Sequence, residues 1–201
     1  GTGFTLTIKP AAGTSPTVSA NSTTAVIKLN GTDRVIIDGS NNGTSSRDLT
    51  IENTSTSTNT AAIWLSSLGA GAGATNNSIS NCIIKAGSNS VVSSFGAYVA
   101  GATISTTGTG ADNNNNSFVN NQFAKAYYGL YASGVATTGL MQNLVVVRNE
   151  FGSEVSADYL YFRGMLVSQA TNSDFSQNKI YNLLSLTGSS PRGMEFGSGV
   201  T

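Results

Sequence analysis

The sequence contains no histidine and a single cysteine, Cys82. The first absence excludes Ser-His-Asp and Cys-His catalysis and removes the commonest zinc ligand. The second excludes a disulfide framework or a thiolate metal cluster built within the chain. Charge is scarce: only 10% of the 201 residues are Asp, Glu, Lys or Arg, against roughly 25% in an ordinary domain. Ten basic residues balance ten acidic ones, so no field directs the chain towards nucleic acid or an anionic membrane. No apolar run approaches the roughly 20 residues that a membrane-spanning helix needs, and no membrane insertion is expected. Proline, at three, is too rare for a disordered linker, and β-branched and aromatic residues are too frequent.

Gly, Ser, Thr and Asn supply about half of the chain, where an ordinary domain is richer in charge. Between them lie short apolar bursts such as Phe4-Thr-Leu6-Thr-Ile8, Val35-Ile-Ile37 and Leu144-Val-Val-Val147, each bounded by Gly, Asn, Ser or Thr. That is a strand-and-turn pattern. No stretch keeps helical periodicity without interruption. A short helix competes only between Asp158 and Ala170, where a strand is the better reading. The chain is expected to be all-β.

One motif recurs: small, apolar, variable, apolar, small or polar. Its copies are Val26-Ile-Lys-Leu-Asn30, Ala62-Ile-Trp-Leu-Ser66, Gly96-Ala-Tyr-Val-Ala100, Gly129-Leu-Tyr-Ala-Ser133, Gly164-Met-Leu-Val-Ser168 and Gly193-Met-Glu-Phe-Gly197. They lie roughly 29 to 36 residues apart, within the range of solenoid repeats. The second and fourth positions share an apolar face, and the third points the other way. A second motif, Asn then a variable and an apolar residue, contains Asn121, Asn149 and Asn178, with a looser copy at Asn81. In the first repeat either Asp38 or Asn53 is a candidate for this place. Upstream lie Asn77, Asn116, Asn143 and Asn172, as turn residues approaching the strand. A fixed face at a near-constant interval describes a solenoid rather than a sandwich. Stacked Asn amides, each both donor and acceptor, form a ladder from coil to coil. The expected fold is a right-handed parallel β-helix of about six coils, some 30 Å long at 4.8 Å per strand.

The run Asn115-Asn-Ser-Phe-Val-Asn-Asn-Gln-Phe123 resembles a coil of the right-handed parallel β-helix, the pectin-lyase-like fold. The stretches Thr7-Ile-Lys-Pro-Ala-Ala-Gly13, Ala25-Val-Ile-Lys-Leu-Asn-Gly31 and Asp33-Arg-Val-Ile-Ile-Asp-Gly39 resemble secreted β-helix regions in large surface proteins of Bacteroidota. The resemblance implies export by the type IX system and an extracellular or cell-surface location. It covers nearly the whole chain, so residues 1–201 are expected to form one β-helix segment of a longer protein.

Catalytic signals are weak. A glycosidase needs two carboxylates facing one bond, about 5 to 9.5 Å apart, and the ten acids do not gather in one column. The position after the ladder Asn reads Cys82, Gln122, Glu150, Lys179, a surface ion-pair pattern. The densest charged set, Asp33, Arg34, Asp38, Arg47, Asp48 and Glu52, reads as a solvated loop. Cys82 reads as a surface or packing residue, not a nucleophile. Asp38, Ser40 and Asn42 imitate the opening of an EF-hand loop, but its twelfth place is Leu49 rather than the bidentate Glu. These three are the candidate calcium ligands; otherwise no cofactor is expected. Thr-rich tracts at 54–60 and 103–109 lack the regular array of an ice-binding face.

The third positions of the first motif form the row Lys28, Trp64, Tyr98, Tyr131, Leu166, Glu195. Exposed, its three aromatics suit stacking on sugar rings or docking a neighbouring molecule, with Tyr127 and Arg163 on the flanks. The alternative is that the long loop 101–117 folds back and buries it. Both ends expose strand edges without a polar cap, so the segment is expected to continue into, or stack on, further coils. The functional expectation is a non-catalytic stalk or adhesin touching a polysaccharide or a neighbouring protein segment. A carbohydrate-active lyase or hydrolase is the second reading and a trimeric phage tailspike the third.

Overall fold

Six successive turns of chain lay down three parallel sheets. The structure is a computed structural model and describes residues 3–185, 188 and 190–201. Sheet A contains Leu6–Ile8, Val35–Asp38, Ser78–Ser80, Ser117–Val119 and Val145–Val147. Sheet B contains Thr17–Ala20, Leu49–Asn53, Cys82–Lys85, Gln122–Ala124, Glu150–Phe151 and Lys179–Ile180. Sheet C contains Ala25–Asn30, Thr60–Ser66, Ser94–Ala100, Tyr128–Ser133, Arg163–Ser168 and Arg192–Phe196. The first five turns visit A, B and C in that order, the sixth adds strands to B and C, and neighbouring turns pair strand on strand. This is the expected β-solenoid of about six turns. The stretch from Asp158 to Ala170 forms the strand Arg163–Ser168, and a 3-10 turn at Ser156–Asp158 precedes it.

Inward residues stack in register along the tube. Ile37, Ile79, Phe118 and Val146 form one column, and Ile51, Ile84, Phe123 and Phe151 another. Phe123 and Phe151 lie parallel at 4.8 Å between ring centres. The sheet C motif supplies the third wall, with Ile63 and Leu65, Ala97 and Val99, Leu130 and Ala132, and Met165 and Val167 all in the same core. Apolar side chains repeated at the strand spacing bury area that no single turn could bury alone.

The small residue opening that motif has a steric cause. A Cβ on Gly129 would sit 2.5 Å from the Gly164 carbonyl oxygen and 2.8 Å from the Phe151 ring. Gly96 and Gly164 meet the next glycine's carbonyl in the same way. At Gly96 and Gly129 the missing side chain points into the core, and the following residue, Ala97 or Leu130, also packs there. Strict alternation is therefore broken at this column. Phe95 and Tyr128 on one side, and Tyr98 and Tyr131 on the other, are thrown together on the outer face.

Two corners are made by residues in the left-handed region. Arg34, Asn76, Asn115, Asn143 and Asn172 turn the chain into sheet A, all with φ between 52° and 60°. Asn81, Asn120, Arg148 and Gln177 turn it from A into B, with φ between 54° and 58°. Asn adopts this conformation more readily than other residues with a side chain. The residue after each second corner points inward, and there the Asn ladder runs. The backbone N–H of Asn121 donates to Asn149 Oδ1 at 2.9 Å, and that of Asn149 to Asn178 Oδ1 at 2.9 Å. Asn81 is not a rung. It stands one place earlier, at the left-handed corner, accepting from Asn120 Nδ2 and donating to Asp38 Oδ1, each at 2.7 Å. Cys82 takes the inward place and donates its N–H to Asn121 Oδ1 at 3.0 Å. Neither Asp38 nor Asn53 holds that place in the first repeat: the register puts Leu49 opposite Cys82.

A second buried ladder, not expected as such, joins Asn77 and Asn116. The N–H of Val35 donates to Asn77 Oδ1 at 2.9 Å, and the N–H of Asn77 to Asn116 Oδ1 at 3.0 Å. Both amides are almost fully buried. The sequence marks these residues as turn formers, but only the first residue of each Asn-Asn pair makes the turn.

Candidate functional site

The outer row of sheet C stacks in the expected register, Lys28 on Trp64 on Tyr98 on Tyr131 on Leu166 on Glu195. It is not a ridge in solvent. Trp64 is 4%, Tyr98 0% and Tyr131 3% exposed. With Phe95, Tyr127, Tyr128 and Ile104 they form a second apolar core outside the tube. The segment after Ala100 folds back as a cover. Ile104 is driven into the cluster, and the aromatic polar atoms bond to the cover's backbone. Trp64 Nε1 donates to the Gly101 carbonyl at 3.1 Å, Tyr98 Oη to that of Thr103 at 3.1 Å, and Tyr131 Oη to that of Gly108 at 2.9 Å. Burial pushes the Tyr128 and Tyr131 hydroxyls up to about 12, and raises that of Tyr98. Tyr127 stacks on Phe162 at 4.8 Å. Arg163, 6% exposed, is paired with Glu195, donates to the Ser190 carbonyl at 3.1 Å and lies over Phe162. None of the five residues considered for a glycan offers a free face. The sequence alternative of a covering loop is the one the structure adopts.

Asp38, at the end of its sheet A strand, lies beside Ser40 and Asn42 of the 40–48 loop, and neighbouring donors already bind their oxygens. Asn42 Oδ1 accepts from Ser40 Oγ, the Thr44 N–H, Thr44 Oγ1 and Ser46 Oγ at 2.6 to 3.1 Å. Asp38 Oδ1 accepts from the Ser40 N–H at 3.1 Å and from Asn81. A calcium ion would have to displace these donors. Among the described residues no three Asp, Glu, His or Cys side chains gather as a metal-binding group.

The charged residues converge elsewhere, on the outer face of sheet B. One outward row includes Ile83, Gln122, Glu150 and Lys179; Ile83, not Cys82, stands before Gln122, because Cys82 points inward. The neighbouring row runs from Glu52 through Lys85 to Ala124, then to the buried Gly152, so its floor drops where the side chains become small. Two loops from distant turns lean over that low point. From the second turn, Arg47 donates to the Asn120 carbonyl at 2.8 Å and its Oδ1 at 3.0 Å, and pairs with Glu150 at 3.0 Å. From the fifth turn, Asp158 pairs with Lys85 at 2.6 Å, and its carbonyl accepts the Lys125 N–H at 2.7 Å. Between the loops is a cleft of about 360 Å³. Burial would raise the Glu150 pKa, but the Tyr181 hydroxyl, donating at 3.0 Å, and the Arg47 charge hold it below the usual glutamate value. Sequence reasoning missed this convergence. Arg47 and Glu150 are about a hundred positions apart, and only the length of the two loops hinted at it.

Comparison of the chain with protein-family models, with curated proteins and with solved structures finds no match. No helix among the described residues is long and apolar enough to cross a membrane.

Proposed function

We propose that this chain is a non-catalytic structural and adhesive segment of a secreted or surface-anchored bacterial protein, a β-helical stalk that meets polysaccharide or a neighbouring protein outside the cell. The observation that carries this reading is where the ionic groups go. Arg47–Glu150, Lys85–Asp158 and Lys125–Glu52 each join turns that are not adjacent. They brace the tube lengthwise, and an acid committed to a cation in this way is a poor general acid or base. The resemblance to surface β-helices of Bacteroidota supports type IX export. Exposed Leu6, Ile8 and Val18 at one end of the stack, and Met194 and Phe196 at the other, support packing against further coils of the same or a neighbouring chain.

Affinity electrophoresis through gels cast with polysaccharides, paired with an assay for new reducing or unsaturated chain ends, tests the proposal. Retarded migration without release of new ends is expected. Release of new ends would make the protein an enzyme; unretarded migration in every gel would remove the polysaccharide contact.

A further inference from the structure

We infer that the cleft over sheet B is the place where a neutral sugar unit binds, and that it rejects acidic sugars. The inference rests on the adhesive reading above and adds to it a location and a selectivity.

Three features of the cleft bear on a ligand. The first is its construction. Loop 40–48 comes from the second turn and reaches Asn120 and Glu150 on the fourth and fifth. The segment around Asp158 comes from the fifth turn and reaches back to Lys85 on the third. Asn89 adds a hold on that segment, donating to the Tyr159 carbonyl at 3.1 Å. Two loops are thus pinned over one spot from opposite directions, which fixes the walls before any ligand arrives.

The second is the lining. Ile83 and Ala124 contribute apolar surface, against which the C–H face of a sugar ring can lie. Around them stand donors and acceptors of both signs: Lys85, Gln122, Glu150 and the Tyr181 hydroxyl. Lys85 has one carboxylate partner, Asp158, and its ammonium carries three N–H donors. Gln122 Nε2 donates to the Gly152 carbonyl at 3.1 Å, which leaves its amide oxygen as an acceptor. A volume of about 360 Å³ is at the small end for ligand pockets and fits a mono- or disaccharide unit.

The third is the charge balance. Both cations of the lining, Arg47 and Lys85, are already paired. Glu154 also lines the cleft, is exposed, and has no ion pair among the described residues. A hydroxyl group can use the spare donors and acceptors without disturbing either pair. A uronate carboxylate would compete with Glu150 or Asp158 for a cation and would meet Glu154 as a like charge. Selectivity against acid is thus built from repulsion, not from a missing contact.

The test uses the intact chain in gels cast with neutral polymers (β-glucan, mannan, galactomannan) and acidic ones (polygalacturonate, alginate) at low salt. The parent should be retarded by at least one neutral polymer, with affinity at least tenfold above that for either acidic one. Gln122→Trp, which fills the cleft, should abolish that retardation. Val155→Trp narrows the rim from an exposed position, so it should weaken binding severalfold with the melting temperature unchanged. Glu154→Gln should raise retardation by the acidic polymers severalfold. If the parent binds a neutral polymer and both tryptophan variants bind it equally well, the site lies elsewhere and only this inference fails. Equal retardation by neutral and acidic polymers overturns the selectivity. No retardation of the parent by any polymer overturns the adhesive reading and this inference together.

Discussion

An amide side chain in a dry core needs acceptors for its NH2 group and donors for its oxygen, and Asn121 finds all of them on neighbouring strands. Its Nδ2 donates to the Ile79 carbonyl at 2.9 Å and to Asn149 Oδ1 at 3.1 Å, and its Oδ1 accepts from Cys82. Asn121→Ala would leave the Cys82 N–H unpaired in the core and take one of its donors from the Ile79 carbonyl. A loss of about 1–3 kcal/mol in denaturant titration is expected, and the same for Asn149→Ala. The proper control is Asn21→Ala, whose exposed side chain makes no hydrogen bond among the described residues; it should shift stability by less than about 0.5 kcal/mol. Asn42, although on the surface, is unsuitable because four donors converge on its oxygen. Equal shifts for Asn121→Ala and Asn21→Ala would rule out the ladder. Cys82 yields a second expectation at this scale. Burial, and then the charge of Asp38, push its thiol up to about 12, and Sγ lies 3.1 Å from the Ser80 carbonyl oxygen. Native protein should resist maleimide at neutral pH and react only once unfolded; rapid native labelling would show that the A–B corner opens.

At the scale of the strand and its corners, two positions carry conformational demands that a substitution can meet or violate. Gly129 sits where any Cβ collides with the backbone of the next turn, so Gly129→Ala should destabilise by about 1–3 kcal/mol. Exposed Arg148 holds φ at 57° in a row otherwise begun by Asn81 and Asn120. Arg148→Asn should therefore stabilise by about 1 kcal/mol, read as a higher denaturation midpoint; a fall would mean that the arginine side chain matters more than its backbone. These corners also show what the sequence makes legible. The motif of sheet C encodes register, because its alternation repeats in all six copies. The ladder is legible at Asn121, Asn149 and Asn178, where Asn is followed two places on by an apolar residue. It misleads at Asn81, because inward position depends on which residue takes the left-handed corner, and Asn suits both roles. The cover over Trp64, Tyr98 and Tyr131 is an open alternative in the sequence, since burial of an outward row depends on the path of a loop without periodicity. The cleft over sheet B is invisible for the same reason: its walls come from irregular segments brought together by stacking.

Across the whole molecule, stability is distributed between a tube core, an outer aromatic core and lengthwise ion pairs, and each responds differently to pH. Glu150 and Glu195 are both held below the usual glutamate value of 4.5 despite partial burial, Glu150 by Tyr181 and Arg47 and Glu195 by Arg192 and Arg163. A carboxylate depressed in the folded state contributes stability that is present above 4.5 and is lost as the pH falls through its lower folded value. The outer core has the opposite dependence. Burial raises Tyr98, and raises Tyr128 and Tyr131 from the ordinary 10.0 to about 12. The unfolded chain therefore sheds these protons first as the solution becomes alkaline. The stabilising contribution is complete below pH 10.0 and disappears as the pH rises towards about 12. Melting temperature should thus be flat between these limits, fall gently on the acid side and fall steeply on the alkaline side. Replacing Tyr131 by Phe should lower stability at neutral pH, because the Gly108 carbonyl loses its donor. The same change should blunt the alkaline fall, because one late-titrating phenol is gone. Spectroscopic titration of the seven tyrosines gives an independent reading. In the folded chain part of the phenolate signal should appear only above pH 10, together with loss of β-sheet circular dichroism. If all seven ionise near 10 with the fold intact, the cover over the outer core is open to solvent.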